Sequence, residues 1–273
     1  MAKELINKTR LSPNQAEKRG FLHRDYLAHC LRYTHVVRWL TRLAKGDDVL
    51  RVLDVGCGNE APLAKLIYTS KLGRNVRYLG LDAGGIDPDI TFNAWRPQLK
   101  AKVLFPEVLE DSEALFDVIV MLEVLEHVEH PRQNMMLRAA AAKLANNTDS
   151  LMFISTPCYD PHVGAAGNHV NELTYQALGF MLEDAGLAVE GVYGTFASQR
   201  DYREQAAADG YAPLMEKLSE YYDSTVVAVF FAPLYPQLAR NCIWRLKLSD
   251  KTYRRRFPTP GELPHGSATE NIS

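Results

Sequence analysis

VLRVLDVGCGNEA, residues 49–61, is the stretch on which the rest of the chain is read. VLRVLDV is a run rich in valine and leucine, the pattern of a strand buried on both faces of a parallel sheet. Gly56 and Gly58 follow at once. A chain leaving such a strand for a helix must turn sharply and let a ligand approach its backbone, and two residues without side chains permit both. Asn59 is placed to cap the next helix and Pro62 is tolerated in its first turn, so that helix is expected to reach about Ser70.

Further strands are expected at 76–82 (VRYLGLD), 102–105 (KVLF), 116–122 (FDVIVML), 151–156 (LMFIST) and 241–248 (NCIWRLKL). Between them, Pro131 opens an alanine-rich helix ending near Asn146 and Asn147. Thr174 caps another, with Leu178, Met181, Leu182 and Ala185 on one face and Gly186 as its stop. Upstream, Tyr26, Cys30, Tyr33, Val37 and Leu40 recur at steps of four and three, which predicts an amphipathic helix over 25–43. This alternation implies a parallel sheet with helices on both faces. Past Val192 the pattern changes to a polar helical insertion (199–222) and an apolar helix (225–235). The expected organisation is a helical cap (1–48), a ligand-binding core (49–197), an insertion with the terminal strand (198–250), and a disordered tail (251–273) carrying Arg254 to Arg256.

A hydrophobic fraction of 47% supports a globular fold, and a net charge of -2 gives no global footprint for nucleic acid, though it leaves room for a local basic patch. Cys30, Cys57, Cys158 and Cys242 form no C-x-x-C pair, which argues against a zinc ribbon or a disulfide framework and for a reducing cytoplasm. MAKELINKTR lacks a signal-peptide core, and no run approaches the ~18 apolar residues of a membrane helix.

GCGNEA, residues 56–61, also satisfies the G-x-G-x-x-A fingerprint of nicotinamide and flavin enzymes. Asp54, two residues before Gly56, would repel a pyrophosphate but suits the ammonium of a methionine-like group. Asp82 ends the second strand, where it can accept both hydroxyls of an adenosine ribose, a feature that fits either cofactor. VLDVGCG together with Asp82 resembles motif I and the strand-two acidic residue of the class I S-adenosylmethionine-dependent methyltransferases, over about residues 49–190. The resemblance implies a Rossmann-like, seven-stranded, mostly parallel sheet with an antiparallel last strand, an N-terminal helical cap and a helical insertion before that strand. It also implies S-adenosylmethionine as methyl donor, held by Asp54, Gly56, Cys57, Gly58, Asp82, Ala83 and Glu123, with Tyr26 or Tyr33 from the preceding helix closing over it. Glu107, Glu110 and Asp111 are alternative adenine contacts, and Cys57 reads as a packed small residue.

EVLEHVEHP (123–131) resembles the segment after strand four in small-molecule O-methyltransferases, including those of ubiquinone synthesis. STPCYDPH (155–162) and NHVNELT (168–174) resemble their substrate-side loop and helix start. The resemblance implies transfer to an oxygen, less readily a nitrogen, with His127, His169 and Glu126 nearest the chemistry. Glu123, Glu126, His127 and His169 also match the divalent-metal set of small-RNA 3'-terminal 2'-O-methyltransferases. The favoured reading has no metal; the alternative takes magnesium or manganese. An NAD(P) oxidoreductase and a non-catalytic donor-binding module stay open, and the acceptor is a small molecule or a nucleic acid. The N/D-P-P-Y/F tetrad of amino-group DNA methyltransferases is missing, and Pro157-Cys158 follows strand five rather than four, so Cys158 is not read as a nucleophile.

Overall fold

The computed structural model describes residues 24–44, 48–87, 90, 92–197 and 202–250. The tail and its Arg254 to Arg256 run lie outside the described residues. Helix α1 (Arg24–Leu43) leads into β1 (Leu50–Val55), α2 (Pro62–Thr69), β2 (Val76–Leu81), β3 (Gln98–Lys100) and β4 (Val118–Leu122). There follow α3 (His130–Lys143), β5 (Leu151–Pro157), α4 (Tyr175–Asp184) and β6 (Leu187–Ala197). The insertion helices α5 (Tyr202–Ala208), α6 (Ala212–Ser219) and α7 (Ser224–Phe231) precede β7 (Ala239–Leu248).

The strands form one seven-stranded sheet in the order β3-β2-β1-β4-β5-β7-β6. β7 runs antiparallel to β5 and β6, and the other pairings are parallel. Every residue of β4 and β5 is buried, as their continuous apolar character requires of central strands. Because side chains alternate across a strand, Leu53, Ile119, Met121, Ile154 and Trp244 meet α3 and α4 on one face. Val52, Val118, Val120, Phe153 and Ile243 meet α1 and α2 on the other. The insertion has its own small apolar cluster around Tyr202, Val227, Phe231 and Tyr235.

Several local expectations need correction. The third strand is Gln98–Lys100, not 102–105: Lys102 turns at φ 55, and Phe105 is buried from a loop. Asn59 does not cap α2. Ala61, in the left-handed region (φ 42), occupies the cap without a side-chain bond, while the Asn59 carbonyl accepts from the Asp87 N–H at 2.8 Å. α3 stops at Lys143, because Leu144 becomes extended and bridges Phe116. The polar insertion is two helices separated at Gly210 (φ 84), and the apolar helix ends at Phe231, beyond which Pro233 and Pro236 stand in 3-10 turns. β6 starts directly after Gly186. The Thr174 cap is present, its hydroxyl accepting from the Ala177 N–H at 3.2 Å.

Candidate active site

The parallel strands end at one edge, and the loops that leave it carry the candidate residues. The turn after β1 is fixed by the Gly56 and Cys57 N–H groups, which donate to the Leu81 carbonyl at 2.8 and 3.0 Å. Gly56 (φ 73) and Gly58 (φ 76) both adopt the left-handed region. A Cβ on Gly56 would come within 2.4 Å of Val124, so side-chain-free backbone is required there for space as well as for conformation. Asp82 grips this turn: its Oδ2 accepts from the Gly58 N–H at 2.8 Å and its Oδ1 from the Gly84 N–H at 2.7 Å. Ala83 is exposed between them, and Cys57 is buried, with its thiol pushed up chiefly by that burial.

Asp54 is buried at the end of β1 and accepts from the Tyr78 hydroxyl at 2.5 Å. Burial, with a further push from Asp82, raises its carboxyl to about 7 although the Tyr78 bond opposes the shift. The Tyr33 phenol lies within the fields of Asp54, Glu123 and Cys57, and burial, then Asp54, raises its pKa. Tyr26 interacts instead with Cys30, one turn along its own helix. Of the two tyrosines, Tyr33 is the one brought to the glycine turn.

Glu123, the first residue beyond β4, sits at φ 57. Its carboxylate is already saturated: Ser155 Oγ donates at 2.8 Å, Asn241 Nδ2 at 2.9 and 3.0 Å, and Arg32 pairs with it at 3.0 Å. The expected helix carrying Glu123, Glu126 and His127 on one face is only a 3-10 turn, Leu125–His127. Glu123 is not among the group of possible ligand atoms that Glu126, His127 and His169 form. Glu126 is 1% exposed and accepts from Thr156 Oγ1 at 3.1 Å; burial and the Glu123 charge push its pKa well up.

Glu126, His127 and His169 come together, each offering one ligand atom within 4.8 Å of the others. The histidine rings meet edge to face, with centroids 5.1 Å apart. His127 Nδ1 lies 3.1 Å from the Asn168 carbonyl, and His169 Nδ1 lies 2.6 Å from Glu172 Oε1. Gln133 ties the two loops by donating to Leu125 O at 2.6 Å and Asn171 O at 3.1 Å. Among the adenine candidates, Glu107 pairs with Arg132 at 2.7 Å, while Glu110 and Asp111 are exposed. Cys158 is buried 3.8 Å from the Cys242 sulfur. Tyr78, Arg32, Gln133, Glu172, Arg240 and Asn241 are site residues that the sequence reading passed over. Glu172 stands in NHVNELT, and Tyr78 and Asn241 stand in the strands VRYLGLD and NCIWRLKL, where they read only as strand residues.

The strand order and this edge define a class I, Rossmann-like methyltransferase fold. A family model described as a methyltransferase domain matches residues 26–213, and the chain belongs to that family. A mitochondrial ubiquinone biosynthesis O-methyltransferase of Saccharomyces cerevisiae is 33% identical over 117 residues, 42% of this chain and 36% of the relative. A ubiquinone biosynthesis O-methyltransferase of Rickettsia typhi is 32% identical over 138 residues, 48% of this chain and 52% of the relative. The chain thus spans about half the length, or less, of these curated relatives. A crystal structure of a SAM-dependent methyltransferase from Archaeoglobus fulgidus superposes with a TM-score of 0.51 at 16% identity, over 85% of this chain and 97% of that one, a likeness of fold.

Proposed function

We propose that the chain moves the sulfonium methyl of S-adenosylmethionine to a hydroxyl oxygen of a small-molecule acceptor. The observation that carries this reading is a donor-type turn, Gly56 to Gly58 gripped by Asp82, opening on the same edge as Glu126, His127 and His169. A carboxylate has about four lone-pair sites. Asp82 spends two on backbone N–H groups and keeps the rest for ribose hydroxyls. Asp54 suits the donor's ammonium, whereas a dinucleotide pyrophosphate would meet a buried acid. The two ubiquinone-biosynthesis relatives are O-methyltransferases by name, which supports oxygen as the nucleophile. Four free thiols support a reducing, cytoplasmic setting. Among the described residues no helix is long and apolar enough to cross a membrane.

In the reaction the acceptor oxygen bonds to the methyl carbon as the carbon–sulfur bond breaks, and the electron pair passes to sulfur, leaving S-adenosylhomocysteine. The hydroxyl proton goes to His127 or His169. Most of the acceleration comes from holding oxygen, carbon and sulfur in line at ~3 to 3.5 Å, with the base adding a further ~10²- to 10⁴-fold. Calorimetry tests the donor: S-adenosylmethionine and S-adenosylhomocysteine are expected to bind and NAD(P) is not. Binding of NAD(P) alone would overturn the reading.

A second reading adds a divalent cation, and one observation favours it. The Asn168 carbonyl can only accept, so the His127 Nδ1 that faces it is an N–H, and His127 offers a ligand atom within 4.8 Å of those of buried Glu126 and of His169. Three Lewis bases so close repel unless a proton or a cation lies between them. Their mixed oxygen and nitrogen character suits manganese better than magnesium. When bound, the ion would act as a Lewis acid on the acceptor oxygen. Loss of methyl transfer in EDTA with recovery in manganese supports this reading, and unchanged turnover in EDTA removes it.

A further inference from the structure

The loop between β5 and α4, residues 159–172, carries His169, and one β7 residue fills it. Its neck is closed by the Cys158–Leu173 bridge, by the Tyr159 N–H on Leu173 O at 2.9 Å, and by the Cys158 N–H on Arg240 O at 2.8 Å. The Arg240 guanidinium donates to the loop at its start (Cys158 O), its middle (Gly164 O, 2.9 Å) and its end (Glu172 Oε2, 2.7 Å). The Glu172 side chain is fully buried. Its Oε1 accepts from the Ala166 N–H at 3.1 Å and lies 2.6 Å from His169 Nδ1.

These contacts fix a proton. Arg240 and the Ala166 N–H are donors only, so each Glu172 oxygen accepts a hydrogen bond, and the guanidinium charge 2.7 Å from Oε2 favours the ionised acid. An ionised carboxylate can only accept, so the remaining partner, His169 Nδ1, carries the hydrogen. The geometry points to Glu172 and Arg240 as a positioning pair that fixes His169 as its Nδ1–H tautomer, leaving a bare Nε2 lone pair for the acceptor's proton. The inference rests on the reading of His169 as the group beside the reacting oxygen. It adds two residues to that site, one of them 68 positions away from its partner on the far side of the insertion.

Glu172→Gln separates positioning from folding. The charge of Arg240 draws the amide oxygen to the Oε2 place, so the NH₂ faces His169 and donates to Nδ1. The imidazole must then carry its hydrogen on Nε2, the wrong tautomer for a base, as when the orienting acid of a hydrolase triad becomes an amide. The tautomer is read from the ring-nitrogen chemical shifts of ¹⁵N-labelled protein in EDTA, with His169→Gln to assign the signals. Wild type is expected to show a protonated Nδ1 and a bare Nε2, and E172Q the reverse. With donor and acceptor, E172Q should lower kcat about 10²-fold or more, with the donor Kd unchanged. Arg240→Lys, which keeps the charge, should retain the wild-type tautomer and most of kcat. A wild-type His169 protonated on Nε2, or an E172Q protein with tautomer and kcat both unchanged, overturns the assignment. The spectrum needs neither donor nor acceptor, so absence of methyl transfer would sink the functional reading while the wild-type tautomer still supported this one.

Discussion

Burial, reinforced by Asp82, holds the Asp54 carboxyl near 7 in the free protein even though Tyr78 donates to it. Its folded value lies above the ordinary 3.8. The stability it contributes is therefore present at low pH and lost as pH rises through 7, because the ionised form is buried without a cation. A bound ammonium reverses that cost. Donor affinity should accordingly fall as pH drops below 7, approaching tenfold per unit, and Asp54→Asn should bind more weakly with a flat profile. Calorimetry between pH 5.5 and 7.5 checks this; parallel profiles for the two proteins would exclude Asp54 as the ammonium site. At this scale Asp54, the glycines and Asp82 were legible because their spacing along one chain segment sets their geometry. Tyr78 was not. It reaches Asp54 only after β2 pairs with β1, where Gly80, opposite Asp54, leaves the room its ring fills. Glu123 misled for a related reason: a left-handed backbone at the strand end turned its carboxylate toward Ser155 and Asn241, and no helical spacing could foretell that.

The strands with continuous apolar runs, β1, β4 and β5, were read to within two residues, whereas α3 stops three residues before Asn146, α7 stops four before 235, and β6 was not foreseen as a strand. β3 is three residues on a sheet edge with an exposed-intermediate-exposed pattern, so no apolar run marks it, and the run that does exist at 102–105 packs from a loop. α1 is the opposite case, since Val36, Val37 and Leu40 anchor it over Phe153 and Ile243. It also carries a liability that the periodicity hides. The His35 ring packs against Tyr193 (4.9 Å) and Phe153 (6.0 Å). Burial, then the charges of Arg245, Arg38 and Arg42, lower its pKa to about 4. A folded value below the unfolded 6.5 means that this neutral ring supports the fold above 6.5 and loses that support as pH falls toward 4. The loss is at most about 3 kcal/mol and less in practice, since the ring is partly exposed. His35→Phe should therefore melt with a shallower decline in Tm between pH 6.5 and 4.5 than wild type. Equal slopes by circular dichroism would show that other groups govern the acid limb.

Across the whole molecule, two large apolar clusters clamp the sheet from opposite faces, and a third, smaller one holds the insertion together. The insertion meets the sheet where β6 passes the 3-10 turn Ala232–Leu234. A Cβ on Gly194 would lie 2.2 Å from the Ala232 carbonyl oxygen and 2.7 Å from Ala239 Cβ. Neither obstacle is a flexible side-chain end, so Gly194→Ala must push the turn off the strand, a cost of about 1–3 kcal/mol on the scale of other overpacked sites. The strain falls between the insertion and the sheet, and it leaves the Gly56 to Gly58 turn on β1 and its Asp82 grip untouched. Hydrogen exchange on G194A should therefore show faster exchange in α5, α6 and α7 with β1, β4 and β5 as protected as in wild type, and donor affinity should be retained. Uniformly faster exchange would mean that insertion and sheet open as one unit. In that case the small cluster around Tyr202 and Phe231 opens together with the main core and is not a unit of its own.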